Sequence, residues 1–166
     1  MTEVRLVEAL KEFIDESVKN FSLPERIQEG DTEEIYRPPK VYKLRLDNSG
    51  EAKKKAPYVI IQLENDLHKQ SHGENSQSTA VIRLIFCVYN ENEEEGALAL
   101  LNVMDKVRID LLRTVVIGHC FKLDTDKGLE GLIYNEDTAP YYAGEMIGTF
   151  FMPPVEREVK SAWLKP

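Results

Sequence analysis

Hydrophobic positions along this chain follow two different spacings, and the changes from one to the other mark out its elements. From Thr2 to about Phe21 the apolar residues Val7, Leu10, Ile14, Val18 and Phe21 recur at three- and four-residue steps, which is one face of a helix. Glu3 sits near the positive end of that helix dipole. Pro24 ends the helix, because proline lacks an amide donor and pushes the preceding residue out of helical geometry. Arg26 to Lys40 reads as irregular chain or edge strand. Val41, Leu44 and Leu46 predict a short strand, and Asp47, Asn48, Ser49 and Gly50 a turn, followed by Lys53, Lys54 and Lys55 in a solvated loop. Pro57 opens a firmer strand through Tyr58, Val59, Ile60, Ile61 and Leu63, rich in the branched and aromatic types that suit a pleated surface. The polar stretch from Glu64 to Ser78 predicts a mobile loop, long enough to be functional or disordered, with ordering on binding as a further expectation.

The longest patterned stretch runs from Ala80 to Arg113. Val81, Leu84, Phe86 and Val88 have few polar interruptions, which predicts a central strand with both faces largely covered. After the acidic turn "ENEEEG", the residues Ala97, Leu100, Leu101, Met104, Val107 and Leu111 form a helical stripe that should bury against the sheet. Asn102, Asp105, Lys106 and Arg113 fall on the other side. A helix of about 20 residues is roughly 30 Å long and can cross a small sheet. Val115 to Ile117, Phe121 and Leu123, then Leu129, Leu132, Ile133 and Tyr134 suggest further strands, separated by a turn from Asp124 to Gly128. "YYAGEMIGTFFMPP" supplies a last long strand, stopped by Pro153 and Pro154. The pattern as a whole predicts an α+β fold. It would be a single domain over 1–154 with a mostly antiparallel sheet of roughly four to six strands, covered by the N-terminal and the long central helix. Residues 155–166, with Trp163 and Leu164, form a C-terminal arm that either docks or frays.

At 166 residues and 42% hydrophobic content the chain can bury one sizeable core. Its net charge of -8 argues against a nucleic-acid groove, since phosphate binding relies on clustered Lys and Arg. An acidic surface aids solubility, and it also suits a wall that lets DNA pass without sticking. Cys87 and Cys120 lie in or beside apolar runs, where free thiols pack as small hydrophobes, and so point to a reducing compartment. The chain shows neither a basic-plus-apolar signal sequence nor an apolar run near the roughly 20 residues of a bilayer span, so a soluble protein made inside the cell is expected.

Candidate chemistry is sparse. His68 and His72 have the four-residue spacing of a helical metal pair, but they sit in a polar loop with no third ligand nearby in sequence. His119 and Cys120 would point to opposite faces if they lay on a strand, so they cannot share a proton. Asp124, Asp126 and Gly128 approach a calcium loop, yet the glycine comes one position early and Asn135 stands where a bidentate Glu should be. The pattern contains no phosphate loop, dinucleotide fingerprint or nucleophile elbow, and no catalytic, metal or cofactor residue is assigned. Glu91, Glu93, Glu94 and Glu95 face the N-terminal dipole of the central helix, or else line a subunit boundary or channel. Tyr141 and Tyr142 are consecutive on a strand, so at least one ring is exposed or covered by a partner.

Three blocks, "APYVIIQ" from Ala56, "VIRLIFCVYNENEEEGALALLNVMDKVR" from Val81 and "LEGLIYNEDTAPYYAGEMIGTFFMPPVER" from Leu129, carry a resemblance. In their order of strand, acidic turn with glycine, Leu-Asn helix and Tyr-x-Gly-Glu-Met strand, the chain resembles the tail terminator, or tail-completion, proteins of tailed bacteriophages and prophages. The resemblance implies a structural, non-catalytic protein that assembles as a homo-hexameric ring at the head-proximal end of the tail. Such a ring binds the tail-tube protein, ends tube polymerisation and presents a surface to the head-tail connector protein, while DNA passes through its lumen without specific binding. It would be found in the host cytoplasm during assembly and then in the virion tail, with no membrane partner and no cofactor. The family supplies no catalytic motif, so interface residues are read from position: Tyr141, Tyr142, Glu145, Arg157 and Trp163 as subunit or tail contacts, and Glu91, Glu93, Glu94 and Glu95 as an acidic interface or lumen wall. Two alternatives are another head-tail connector, neck or minor tail subunit, and a metal-dependent nuclease whose acids converge from distant strands.

Overall fold

The computed structural model describes residues 2–46 and 53–158. Helix α1 (Glu3–Val18) leads to a two-residue strand β1 (Leu23–Pro24), which pairs antiparallel with β2 (Tyr36–Arg37). Next come β3 (Lys40–Lys43), β4 (Tyr58–Lys69), β5 (Gln77–Tyr89) and helix α2 (Glu93–Thr114). The short strands β6 (Val116–Ile117) and β7 (Phe121–Leu123) precede β8 (Leu129–Ile133) and β9 (Tyr141–Met152). The main sheet has seven strands in the order β3-β4-β5-β9-β7-β6, with β8 also on β9. Every pairing in it is antiparallel except β3 with β4. The α+β expectation with a mostly antiparallel sheet and two covering helices therefore holds.

Strand β5 runs through the middle, flanked along its length by β4 and β9. Its alternate residues Ala80, Ile82, Leu84, Phe86 and Val88 face the helices and are buried. They meet Leu6, Val7, Leu10, Ile14 and Val18 of α1 and Leu100, Val103, Met104, Val107 and Leu111 of α2. Both helices thus lie on one face of the sheet, as expected when each has a single apolar stripe to bury. Among the described residues, the far face is covered only at one end, by a smaller cluster of Leu46, Ala56, Tyr58, Ile60, Cys87 and Tyr89.

Several expectations need correction. The stretch expected as a mobile loop from Glu64 to Ser78 is mostly a hairpin: β4 continues to Lys69 and β5 begins at Gln77. A register shift between Leu63 and Asn65 breaks the alternation there. Moreover, β3 pairs only with Tyr58–Ile61, so the outer half of β4 is a sheet edge where polar side chains are accommodated. In α2, Ala97 and Leu101 face solvent and Val103 is buried instead, because the helix meets the sheet through a stripe rotated from the expected one. The predicted strand at Val41 stops at Lys43, where Leu44 turns the chain with a φ of 67°. His119 and Cys120 sit in the turn between β6 and β7 and not on a strand, with His119 at φ 66°. The central strand is covered on one face only over its outer half, since Thr79, Val81, Arg83 and Ile85 are partly exposed. The turn expected at Asp47 to Gly50 lies outside the described residues.

The two helices are tied by a polar contact at their crossing. The Asp110 carboxylate accepts hydrogen bonds from Ser17 Oγ at 2.5 Å and Lys106 Nζ at 2.8 Å. The Lys106 hydrogen bond, with that of Ser17, holds the Asp110 carboxyl below the ordinary carboxylate range. A depressed native pKa stabilises the fold above the unfolded-state value and is lost as pH falls through the native one. Asp110→Asn should therefore lower stability at neutral pH, and its deficit against wild type should shrink as the pH falls below the unfolded-state aspartate value of about 3.9. Urea denaturation of both proteins across pH measures this; a deficit independent of pH would remove the ionised contact from the account.

Candidate functional site

The acidic run and the paired tyrosines meet at one end of the sheet. Asn92 caps α2 by accepting from the Glu95 amide at 3.1 Å, and Asn90 Oδ1 accepts from the Asn92 amide at 2.9 Å. These two side chains fix the tight exit from β5 and set Glu93, Glu94 and Glu95 in the first helical turn, where carboxylates face the positive end of the dipole. Tyr89, the last residue of β5, pairs with Tyr141, the first of β9, and their rings lie 5.5 Å apart. Beside them is a cavity of about 420 Å³ whose lining includes Tyr36, Tyr89, Glu25, Glu34, Glu91 and Glu95. The Tyr36 hydroxyl donates to Glu34 at 2.7 Å, and the Tyr89 hydroxyl donates to Glu91 at 3.0 Å. The Glu34 contact raises the Tyr36 phenol above its ordinary pKa, whereas for Tyr89 burial leads and Glu91 adds to it. Glu25 is already paired with Arg37 Nε at 2.6 Å, and the remaining carboxylates among neutral phenols leave the cavity acceptor-rich and suited to a Lys or Arg side chain.

The two outer layers each leave apolar surface in solvent. On the side of α2 away from the sheet, Leu98 is 53% exposed, Leu101 44%, Ile109 39% and Leu112 42%. On the far face of the sheet, Val81, Ile85, Ile147 and Phe151 are half-buried and Leu132 is exposed. Arg83 stands in the middle of that face, with Nη2 3.1 Å from Glu64 and Nε 2.8 Å from Glu145. The Nε approach is off-line for a hydrogen bond, so that buried N–H is left without an aligned acceptor and the contact is electrostatic.

The residues expected as subunit or tail contacts and those expected as an acidic interface or lumen wall are distributed over three places. Glu91, Glu93, Glu94, Glu95, Tyr141 and Tyr142 do come together at the α2 end of the sheet. Glu145 belongs instead to the far face, paired with Arg83. Arg157 is used within the chain: its guanidinium donates to the Gln70 carbonyl at 2.6 Å, while Gln70 donates to the Val155 carbonyl at 2.8 Å, laying the start of the arm against the hairpin turn. Trp163 lies outside the described residues. The sequence reading missed Tyr36, Glu25 and Glu34, whose approach to Glu91 and Glu95 depends on the β1–β2 pairing. It also missed the α2 outer stripe, although Leu98, Leu101, Ile109 and Leu112 recur at helical steps. Asp124 uses its carboxylate to accept the Asp126 and Lys127 amides, which closes a turn. No protein-family model matches the chain, and no curated protein is significantly similar to it.

The two tyrosines split as their strand geometry requires. Tyr142 pairs with Val88 and turns to the helix side, where its ring lies on Gly96. A Cβ at Gly96 would come within 2.5 Å of two Tyr142 ring carbons, so the glycine permits the contact despite its cost to the helix. Burial, followed by the nearby Glu93 and Asp137 carboxylates, raises the Tyr142 phenol pKa. Gly96→Ala should be neutral or destabilising in wild type, yet stabilise by about 0.5–1 kcal/mol in a Tyr142→Ala background. A double-mutant cycle by urea denaturation reads the coupling; equal stabilisation in both backgrounds would refute the contact.

Proposed function

We infer that this protein is a structural ring subunit that caps a phage tail tube at its head-proximal end, ends tube polymerisation and joins the tail to the head. The observation that carries the reading is the pair of apolar patches on opposite outer faces, the α2 stripe on one side and the far face of the sheet on the other. Large apolar side chains left together in solvent mark contact surfaces. Two different patches facing in opposite directions suit head-to-tail association, which generates a closed ring when the rotation between neighbours closes. The resemblance of the three sequence blocks to tail-completion proteins supports the same reading and specifies the tail. The acidic pocket beside α2 would take a basic side chain from the tail-tube or connector protein, and the net charge of -8 would keep passing DNA from adhering. On this reading the role is non-catalytic.

Native mass spectrometry and negative-stain imaging at high protein concentration, with and without polymerised tail tubes, test the proposal. A closed ring of about six copies, in solution or on the tube end, is expected. Leu101→Glu or Leu112→Glu should abolish it while leaving the circular dichroism spectrum unchanged. A strict monomer that also ignores tail tubes would overturn the reading. Particles made without the protein should carry overlong tails; tails of normal length on leaking heads would instead assign it to the neck.

A further inference from the structure

Among the described residues, one cluster gathers metal-ligating groups from separate elements, away from the acidic pocket and both apolar patches: Glu3, Asp66 and His68. Asp66 and His68 are two apart on β4 and share a face, and Glu3 opens α1 beside them. His68 Nε2 lies 3.0 Å from Glu3 Oε1 and 3.3 Å from Asp66 Oδ2, and the three ligand atoms lie within 4.8 Å of one another. The other ring nitrogen, Nδ1, is 2.9 Å from Ser78 Oγ, and Ser78 is buried directly across the ladder on β5.

We propose that Glu3, Asp66 and His68 bind a divalent transition-metal ion of the zinc type. Zinc holds nitrogen and oxygen ligands at about 2.0–2.2 Å, so neighbouring ligands at tetrahedral to octahedral angles stand roughly 3.0–3.4 Å apart. The two His68 spacings fall within that range and the Glu3 and Asp66 oxygens lie within 4.8 Å, so an ion can enter by adjustment of the exposed carboxylate side chains. Ser78 supplies the supporting contact: with Nδ1–H donated to its hydroxyl, the Nε2 lone pair faces the carboxylates, as metal-bound histidines require. One imidazole with two carboxylates selects zinc, cobalt or nickel over magnesium and calcium, which prefer all-oxygen shells. Water completes the coordination, since His68 is 48%, Asp66 45% and Glu3 26% exposed. The ion would staple the first turn of α1 to the outer half of the β4–β5 hairpin. The His68–His72 spacing in the sequence does not reveal the site, because Glu3 lies far upstream in the chain on α1 and His72 takes no part.

The test uses the full-length, untagged protein with Zn²⁺ in calorimetry, Co²⁺ in visible absorption and Zn²⁺ in thermal unfolding. Expected are one ion per chain with micromolar affinity, Co²⁺ ligand-field bands, and a midpoint raised by roughly 5–10 °C at a hundredfold excess over Kd. Asp66→Asn and His68→Ala should each weaken binding at least about tenfold, and Ser78→Ala by about 10- to 100-fold with all three ligands retained. His72→Ala should bind as wild type. Circular dichroism identifies any variant that has not folded, and the exposed Asp66→Asn remains decisive if Ser78→Ala fails to fold. Binding weaker than millimolar in the wild type, or binding unchanged in both Asp66→Asn and His68→Ala, overturns the assignment.

Discussion

Strand β5 is hydrogen-bonded along its length on both flanks, and every other element takes its place from that. Alternation along a strand sends Ala80, Ile82, Leu84, Phe86 and Val88 to one side and Val81, Arg83, Ile85 and Cys87 to the other. The first set is continuous and apolar, so it demands cover, and α1 and α2 provide it with their single apolar stripes. Phe86 is fully buried, with Val59 across one ladder and Gly144 across the other. Gly144 must lack a side chain because a Cβ there would press on the Leu132 carbonyl and the Met104 sulfur. Strand pairing and helix packing therefore constrain each other at the same residues.

Among the described residues the second set on β5 has no helix to meet, and its two ends differ. At the α2 end, Tyr58, Cys87 and Tyr89 close a small aromatic cluster, with Tyr42 edge-on to Tyr58 at 6.3 Å. Burial pushes the Cys87 thiol up to about 11, which makes it a packing group and not a nucleophile. Toward the other end Val81, Arg83 and Ile85 remain in partial contact with solvent. An arginine held between Glu64 and Glu145 keeps this face from being a uniform apolar sheet, and a charge so placed can impose register on whatever covers it. Among the described residues, these surfaces are the places where the demand for cover exceeds what the neighbouring elements supply, which is why the proposed assembly role rests on them.

Much of this was legible in the residues. The N-terminal helix, the central strand, the long helix and the final Tyr-rich strand all have strong periodicity, and the α+β class followed from their order. The rotation of the α2 stripe was not legible, because Leu98, Leu101, Ile109 and Leu112 offer a second apolar row and periodicity cannot say which row meets the sheet. The outer hairpin was not legible either: a bulge interrupts its alternation, and its hydrogen bonds depend on a partner strand whose own pattern is read separately. Of the candidate site, the Glu91–Glu95 run and the Tyr141–Tyr142 pair were visible as local features, while Glu25, Glu34 and Tyr36 were not.

What the sequence by itself determined is local: where the strongly periodic helices and strands form, many of the residues that have to be buried, that the chain is acidic, and that the acidic run begins the long helix. Side-chain period and capping act over a few residues, so a linear reading captures them. Only the tertiary structure decided which of two apolar rows is buried, that Arg83 joins Glu64 to Glu145, and that Glu3 reaches Asp66 and His68. Those contacts link residues far apart in the chain, and the physical agent that selects them is strand register, which a one-residue slip would send to the opposite face of the sheet.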